Sequence, residues 1–398
     1  MSILIVSDFG TDGHITPVAA ELGQRGHQIM VFNPARFPLS IELRVDSTPT
    51  GPHAFITWER QDVDLSQVGS VWFRRPGGFV LPEELSVKEV EWLRRECAAF
   101  VNGMYAVTDA LWVNEPHKNQ RADLKLLQLG IAQRVGFRVP AYTVTNSPQH
   151  ARAFVEAHPN GVIIKGMRIP TLLLDDRAAM MYTHRVTEID LEQIESVRYG
   201  PTFLQSLIPK ARDIRVTIIG DELFAVGIES MTMAEARIDF REVDIMDLPH
   251  VPITLPEPVA LACRQVLREL GLQFGAIDLL ETPDGGYVFL ENNPNGQWYW
   301  IELMTGLPMA RAMADLLERG EMERGRAPDY RRGFTPAPRR SRTIEVGSQS
   351  VPWSSDLGVA AGGGESRVSA NAVATRAWLQ RKKGNVMLHV GDTDFNER

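Results

Sequence analysis

Cysteine is almost missing from this chain: only Cys97 and Cys263 occur in 398 residues. Both fall in helical patterns and read as small buried hydrophobes, so neither a disulfide framework nor a thiolate metal site is indicated. No apolar run is long enough to span a bilayer, and the N-terminus, MSILIVSDFG, has no basic region before its short apolar run. A cytoplasmic protein without a membrane partner is therefore expected. Positive charge is not in excess either. A net charge of −8 excludes a global basic field for nucleic acid, leaving only a local basic groove open. Two common nucleotide signatures are lacking as well: no GxGxxG follows the first strand, and no Gly-rich loop of the P-loop kind occurs. Nine histidines are present, among them His14, His117 and His184, yet nothing places one as a base, and no Ser-His-Asp or Cys-His arrangement is evident.

What remains is an ordinary soluble composition, 44% hydrophobic and 23% charged, in a chain long enough for two or three domains. Ile3–Val6, a helix from about Thr16 to Gln24 and His27–Phe32 read as a βαβ opening. Ile56–Arg60 and Val71–Arg74 read as strands, and Val87–Met104 as a helix. Arg74 and Arg75 end an aromatic strand before Pro76-Gly77-Gly78. Anion binding and an inter-domain ion pair fit them equally well. Leu124, Leu127, Ile131 and Val135 give the segment Lys118–Gly136 a helical period, with Lys125 beside that face. Further strands are expected at Arg138–Thr145, Gly161–Gly166, Ala179–Val186 and Phe203–Ile208, with a helix at Pro148–His158. Asp213–Val226 reads as a hairpin turning at Gly220-Asp221. Helices follow at Glu257–Leu270 and roughly Pro308–Glu318. From Gly325 onward Pro, Arg, Gly and Ser dominate, which predicts a flexible tail, 326–398, carrying at most a short helix (Ala370–Lys383) and a strand (Val386–Val390).

The stretch Ala276–Glu302, AIDLLETPDGGYVFLENNPNGQWYWIE, is the most informative. Pro283-Asp284-Gly285-Gly286 is a strong hairpin signal. Pairing across it brings Asp278 near Glu291 and Asn293. Two carboxylates and an amide oxygen make a hard, all-oxygen set suited to Mg²⁺ shared with phosphate; the plain alternative is a surface hairpin with solvated acids. The run Gly296–Trp300 reads as an aromatic strand end. Lys165 lies inside an otherwise buried strand, and an anionic ligand would satisfy it. Lys125 alone would most often be a solvated helix lysine. Phe203–Pro209 could offer backbone groups to an adenine edge. Arg215 shares a strand face with Asp213, and Asp239-Phe240-Arg241 repeats the acid-x-Arg pattern, which favours a polyanion site over two structural ion pairs.

Taken in order, these features resemble the ATP-grasp ligases, and more closely the microviridin-type ATP-grasp ribosomal peptide maturases, or graspetide synthetases. The stretches that carry the resemblance are VWFRRP (71–76), GFRVPAYTVTN (136–146), PTFLQSLIPKARDIRVTIIG (201–220), FGAIDLL (274–280) and DGGYVFLENNPNGQWYWIE (284–302). The resemblance runs from Met1 to about Leu317. It implies an α/β and α+β chain: an N-terminal pre-ATP-grasp domain (1–113), a central or lid subdomain (114–200), a C-terminal subdomain with the Mg²⁺ site (201–325), and the tail outside. ATP and Mg²⁺ are the implied cofactors. Lys125 and Lys165 would contact the α- and β-phosphates, and Gln205, Leu207 and Ile208 would line the adenine pocket. Arg215 would hold the γ-phosphate and acyl phosphate. Asp278, Glu291 and Asn293 would hold Mg²⁺, and Asp213, Asp239 and Arg241 would sit on the peptide side. Ser206 departs from the acid that many relatives carry at the hinge. The end of the stretch, Asn295–Trp300, would face the peptide.

The implied reaction activates an Asp or Glu side chain of a ribosomal precursor peptide as an acyl phosphate. A Ser or Thr hydroxyl then forms an ester, or a Lys amine an amide, within the peptide. Asp213 or Asp239 could take the attacking group's proton. The partner is a precursor peptide with leader and core; a homodimer is compatible with the sequence. The runner-up is a ligase joining free amino acids or small acids, like the glutathione synthetases. A nucleotide-binding regulator without chemistry is a third reading, disfavoured by the full set of cations and metal ligands.

Overall fold

The strand Ser2–Val6 is apolar on both faces, and both faces are covered. Ile3 and Ile5 point one way, and Leu4 and Val6 the other; all four are fully buried. Such a strand belongs inside a parallel sheet. It pairs in parallel with Gln28–Phe32 and Val68–Phe73, and Leu111–Val113 completes the order 28–32, 2–6, 68–73, 111–113. In this computed structural model, residues 2–8, 12–49, 51–58, 61–168, 171–174, 177–180 and 182–326 are described. The tail 327–398, with the helix and strand expected in it, lies outside them.

The first sheet is closed on one side by the helices Ile15–Gln24 and Met309–Arg326 and on the other by Val87–Ala106. The last helix thus returns from the far end of the described chain. It is longer than the 308–318 that the sequence suggests. A capping box, Ser86 with Glu89, sets the start of the 87–106 helix. Beside this unit lies a three-stranded antiparallel sheet of Glu42–Thr48, Gly51–Trp58 and Gln61–Asp64. The sequence indicated only 56–60 there. The real strand, the central one, starts at Gly51-Pro52, a pair that reads as a breaker; Pro52 pairs with Ser47 on one side only, because the third strand meets residues 55–58, and proline is tolerated there.

The expected single helix over 118–136 is two helices, Pro116–Ala122 and Lys125–Arg134. Leu124 falls in the break and is exposed, so it is not part of the apolar face that Ile131 serves. The break is sealed by Gln128, whose amide donates to the carbonyls of Ala122 and Asn292 and accepts from the Asn292 N–H.

A second sheet has the order 184–185, 162–165, 202–206, 142–145, with the helix Pro148–Glu156 and Ile194 packed on one face. The expected strand 179–186 is two strands in two sheets. Arg177–Met180 pairs with Thr171–Leu174, whereas His184–Arg185 pairs with 162–165. The third sheet is fully antiparallel, in the order 250–253, 222–228, 212–219, 274–281, 287–293. Its inner face buries Ile214, Val216, Ile218, Ile277 and Phe289 against the helices Lys125–Arg134 and Glu257–Leu270. Gly220 and Gly285, both at positive φ, make its two predicted hairpin turns.

Candidate active site

The opposite face of that sheet carries the charges. Arg215 lies across from Asp278, and Asp278 across from Glu291, in one row over three strands. Asp213 and Asn293 sit two residues along their strands, on the same face. A bulge between Asp278 and Leu279 makes this row possible. Phe289 and Glu291 are two apart and would share a face in a regular strand. With Leu290 as the extra residue, Phe289 enters the core while Glu291 faces the site.

Arg215 Nη1 donates to both oxygens of Asp278, at 2.8 and 2.9 Å, and Nη2 donates to Gln297 O at 3.0 Å. Lys125 Nζ, at the first residue of its helix, is 2.6 Å from Glu291 Oε2. Burial is the largest influence on Glu291 and would raise its pKa, but Lys125 and Lys165 together outweigh it and hold the carboxyl well below the usual range. Lys165 comes from the second sheet. Burial pushes its ammonium down, and Glu291 and Asp239 pull it back up. The two lysines and the acid row thus converge from a helix and two sheets.

The two acid-x-Arg pairs behave differently. Asp239 takes Arg241 in a two-point grip, Nε at 2.8 Å and Nη2 at 2.6 Å, and accepts from Thr183 N–H at 3.1 Å. Burial alone would raise Asp239; the Arg241 hydrogen bonds and charge win and lower it. The Arg241 guanidinium is shifted up in return, chiefly by the same hydrogen bonds. Asp213 instead pairs with Lys210 and accepts from the Ser230 hydroxyl. Burial dominates there, and its pKa is raised. Lys210 and Ser230 carried no signal in the sequence, because their partner is known only once the hairpin is folded.

Gln205 is 1% exposed, and neither amide atom has a hydrogen-bond partner. It pairs with Ile163 one strand over, where Phe203 pairs with Lys165, so Gln205 and Lys165 share a face. A buried, unsatisfied amide is costly in a protein alone and fits a ligand that brings a donor and an acceptor, as a purine edge does. Leu207 and Ile208 are half-buried beside it, with the Leu207 N–H already given to Gly161 O. Among the described residues no three His, Cys, Asp or Glu side chains gather as a metal set. The donor set that fits a divalent cation is two carboxylates, Asp278 and Glu291, with the Asn293 amide oxygen. That is the small share of ligands that Mg²⁺ takes from protein when phosphates supply others.

Arg74 is 2% exposed and is an inter-domain residue. Its Nε lies 2.8 Å from Asp12 Oδ2, and Nη1 donates to Asn295 O at 2.6 Å. His14 completes the group, with Nδ1 2.6 Å from Asp12 Oδ1. The ion pair of Arg74 is with Asp12 of its own unit, not across units as the inter-domain reading has it; what crosses to the C-terminal unit is its hydrogen bonds to the Asn295 and Gly296 carbonyls. Arg75, at φ 45°, is exposed and lines a cavity of 630 Å³ with Pro76, Gln297, Tyr299, Trp300 and Leu303. The run at 298–300 is not a strand end. Trp298 is fully buried against His14, and a helix begins at Tyr299.

Residues 2–120 match the family model for the MvdD pre-ATP-grasp domain. Two solved structures are similar over most of the chain. A RiPP-associated ATP-grasp ligase from Chryseobacterium gregarium, in complex with ADP and a leader and core peptide, is 27% identical. It covers 82% of this chain and 98% of its own, with a TM-score of 0.74. The macrocyclase MdnB from Microcystis aeruginosa MRC is 30% identical, covering 79% of this chain and 98% of its own, with a TM-score of 0.67. The chain belongs to the ATP-grasp ribosomal peptide maturases. Its fold is the ATP-grasp fold behind a pre-ATP-grasp domain, and the maturase is an ATP-grasp ligase. A probable alpha-L-glutamate ligase from Shewanella sp. (strain W3-18-1) is 24% identical over 327 residues, 80% of this chain and 96% of that protein. No helix among the maturase's described residues is long and apolar enough to cross a membrane.

Proposed function

We propose that this maturase phosphorylates Asp or Glu side chains of a ribosomal precursor peptide and closes ester or amide bonds within that peptide. The observation that carries this reading is the single-faced row Arg215, Asp278, Glu291, with Lys125 on Glu291 and Lys165 within electrostatic reach. Bound Mg²⁺ and ATP supply the phosphoryl group and neutralise charge as it moves. Asp278, Glu291 and Asn293 would hold the metal, and Lys125 and Lys165 would take the α- and β-phosphates. Gln205, with Leu207 and Ile208, receives the adenine. Arg215 stabilises the γ-phosphate and then the acyl phosphate, where preorganised positive charge matters most.

The peptide side is Asp213, Asp239 and Arg241. Asp239 is committed to Arg241 and held low, whereas Asp213 is held high, so Asp213 is the better acceptor for the proton of the attacking hydroxyl or amine. Asp213→Asn should slow bond formation far more than Asp239→Asn; equal effects, or the reverse order, would remove Asp213 from the role. We keep the division into units 1–113, 114–200 and 201–325 as a proposal; the strand Thr202–Ser206 pairs with the sheet of the middle unit, and the helix Met309–Arg326 packs on the first sheet.

A second reading rests on the glutamate ligase likeness: the same site could join free glutamate to an acceptor. The two separate on what triggers ADP release. A short Ser-, Thr-, Asp- and Glu-rich peptide encoded beside this chain should trigger it, and millimolar glutamate alone should not. Release with glutamate alone would favour the second reading.

A further inference from the structure

Four consecutive residues, Asn295 to Trp298, join the acid hairpin to the helix at Tyr299, and side chains from two units grip their backbone. Arg74 Nη1 donates to Asn295 O at 2.6 Å and to Gly296 O at 3.2 Å. Arg215 Nη2 donates to Gln297 O at 3.0 Å. The Trp298 N–H donates to His14 Nε2 at 3.0 Å. Because Nε2 accepts, the proton of the neutral ring lies on Nδ1, aimed at Asp12. The segment has no slack. A Cβ on Gly296 would overlap Ala276 Cβ and come within 3.0 Å of Arg215 Nη2.

Arg215 is therefore fixed at two points. Asp278 holds Nη1; Nη2 rests on a carbonyl whose neighbours on both sides are tied to the N-terminal unit. Arg74 and His14 are buried, and the ion pair and hydrogen bonds they make run to protein partners. We propose that Arg74 and His14 are positioning residues: by pinning residues 295–298 they aim Arg215 at the terminal phosphate, so the N-terminal unit sets the preference for a nucleoside triphosphate over a diphosphate. The proposal rests on the assignment of Arg215 to the γ-phosphate given above.

The test compares binding of Mg²⁺ with ADP and Mg²⁺ with a non-hydrolysable ATP analogue, by calorimetry on the full chain. The wild type should prefer the triphosphate, and Arg215→Met should abolish that preference. His14→Leu and Arg74→Lys should each cut it roughly ten-fold, the size of one hydrogen bond to a charged group, while ADP affinity, set by Lys125 and Lys165, changes little. His14→Gln, which offers an amide oxygen in place of Nε2, should recover most of it. Arg74→Lys keeps a charge beside Asp12, so the test survives if His14→Leu does not fold. If Arg215→Met abolishes the preference but His14→Leu and Arg74→Lys weaken both nucleotides equally, or neither, the two residues are only inter-domain glue and the proposal is overturned. A wild type with no preference at all would remove the Arg215 assignment and the proposal with it.

Discussion

Arg215 and Asp278 face each other across adjacent antiparallel strands, with one guanidinium nitrogen bridging both carboxylate oxygens at 2.8 and 2.9 Å. An arginine gripping both oxygens of a proposed metal ligand holds that carboxylate in place. Asp278→Asn should keep the fold but raise the Mg²⁺ concentration for half-maximal ATP turnover roughly ten-fold or more. Arg215→Met should leave that Mg²⁺ requirement near normal and lower kcat by roughly 10²–10³-fold. A metal titration of both variants separates the two roles.

Glu291 stands between two lysines. Glu291→Gln leaves Lys125 and Lys165 facing each other without their shared anion. The side chains of Lys125 and Glu291 keep 19% and 24% exposure, so the cost is less than for a sealed pair, about 1–3 kcal/mol. Adding Lys125→Met should restore part of that. Urea unfolding of the wild type, both single variants and the double variant measures it; an additive double mutant would show that the pair does not interact.

The acid limb of stability should depend on Asp12. Burial is the largest influence on its pKa and raises it, but the His14 hydrogen bond and the Arg74 charge prevail and bring it to about 2. A carboxyl held low in the fold contributes stability above its unfolded pKa of about 3.9. That contribution fades as pH falls from about 4 toward about 2 and amounts to about 2 kcal/mol. Asp12→Asn should be less stable than the wild type at pH 7 and lose less on acidification to pH 3. Parallel losses would exclude Asp12.

Gln205 gives a prediction of opposite sign for stability and binding. Gln205→Met removes an amide that has no partner and should leave the ligand-free protein as stable or more so, by about 1 kcal/mol. It should weaken ATP binding and narrow the difference between ATP and GTP. Thermal unfolding with and without nucleotide tests both. Unchanged selectivity would place the base elsewhere.

The acid row was legible in the sequence because a tight Pro-Asp-Gly-Gly turn fixes which residues meet and because the acids interrupt apolar strands. The bulge at Leu290 was not, since period-two alternation puts Phe289 and Glu291 on one face and only the demand of the core for Phe289 breaks it. Arg74 was visible as a charge at a strand end, but its choice between anion and ion pair depended on Asp12 and on Asn295, 221 residues away. Local pattern holds no such information. The same limit explains Leu124, where helical spacing continues through a break sealed by Gln128 and Asn292, and Trp298, which reads as part of an aromatic strand end while long-range packing on His14 buries it.

The measurement that bears most directly on the central claim is the intact mass of the precursor peptide after incubation with this maturase, ATP and Mg²⁺, with ADP counted in the same sample. Carboxylate activation followed by internal bond formation predicts the loss of one water for each ADP formed, and no loss with Arg215→Met. ADP formed with no change in peptide mass, or a peptide grown by added amino-acid residues, would contradict it.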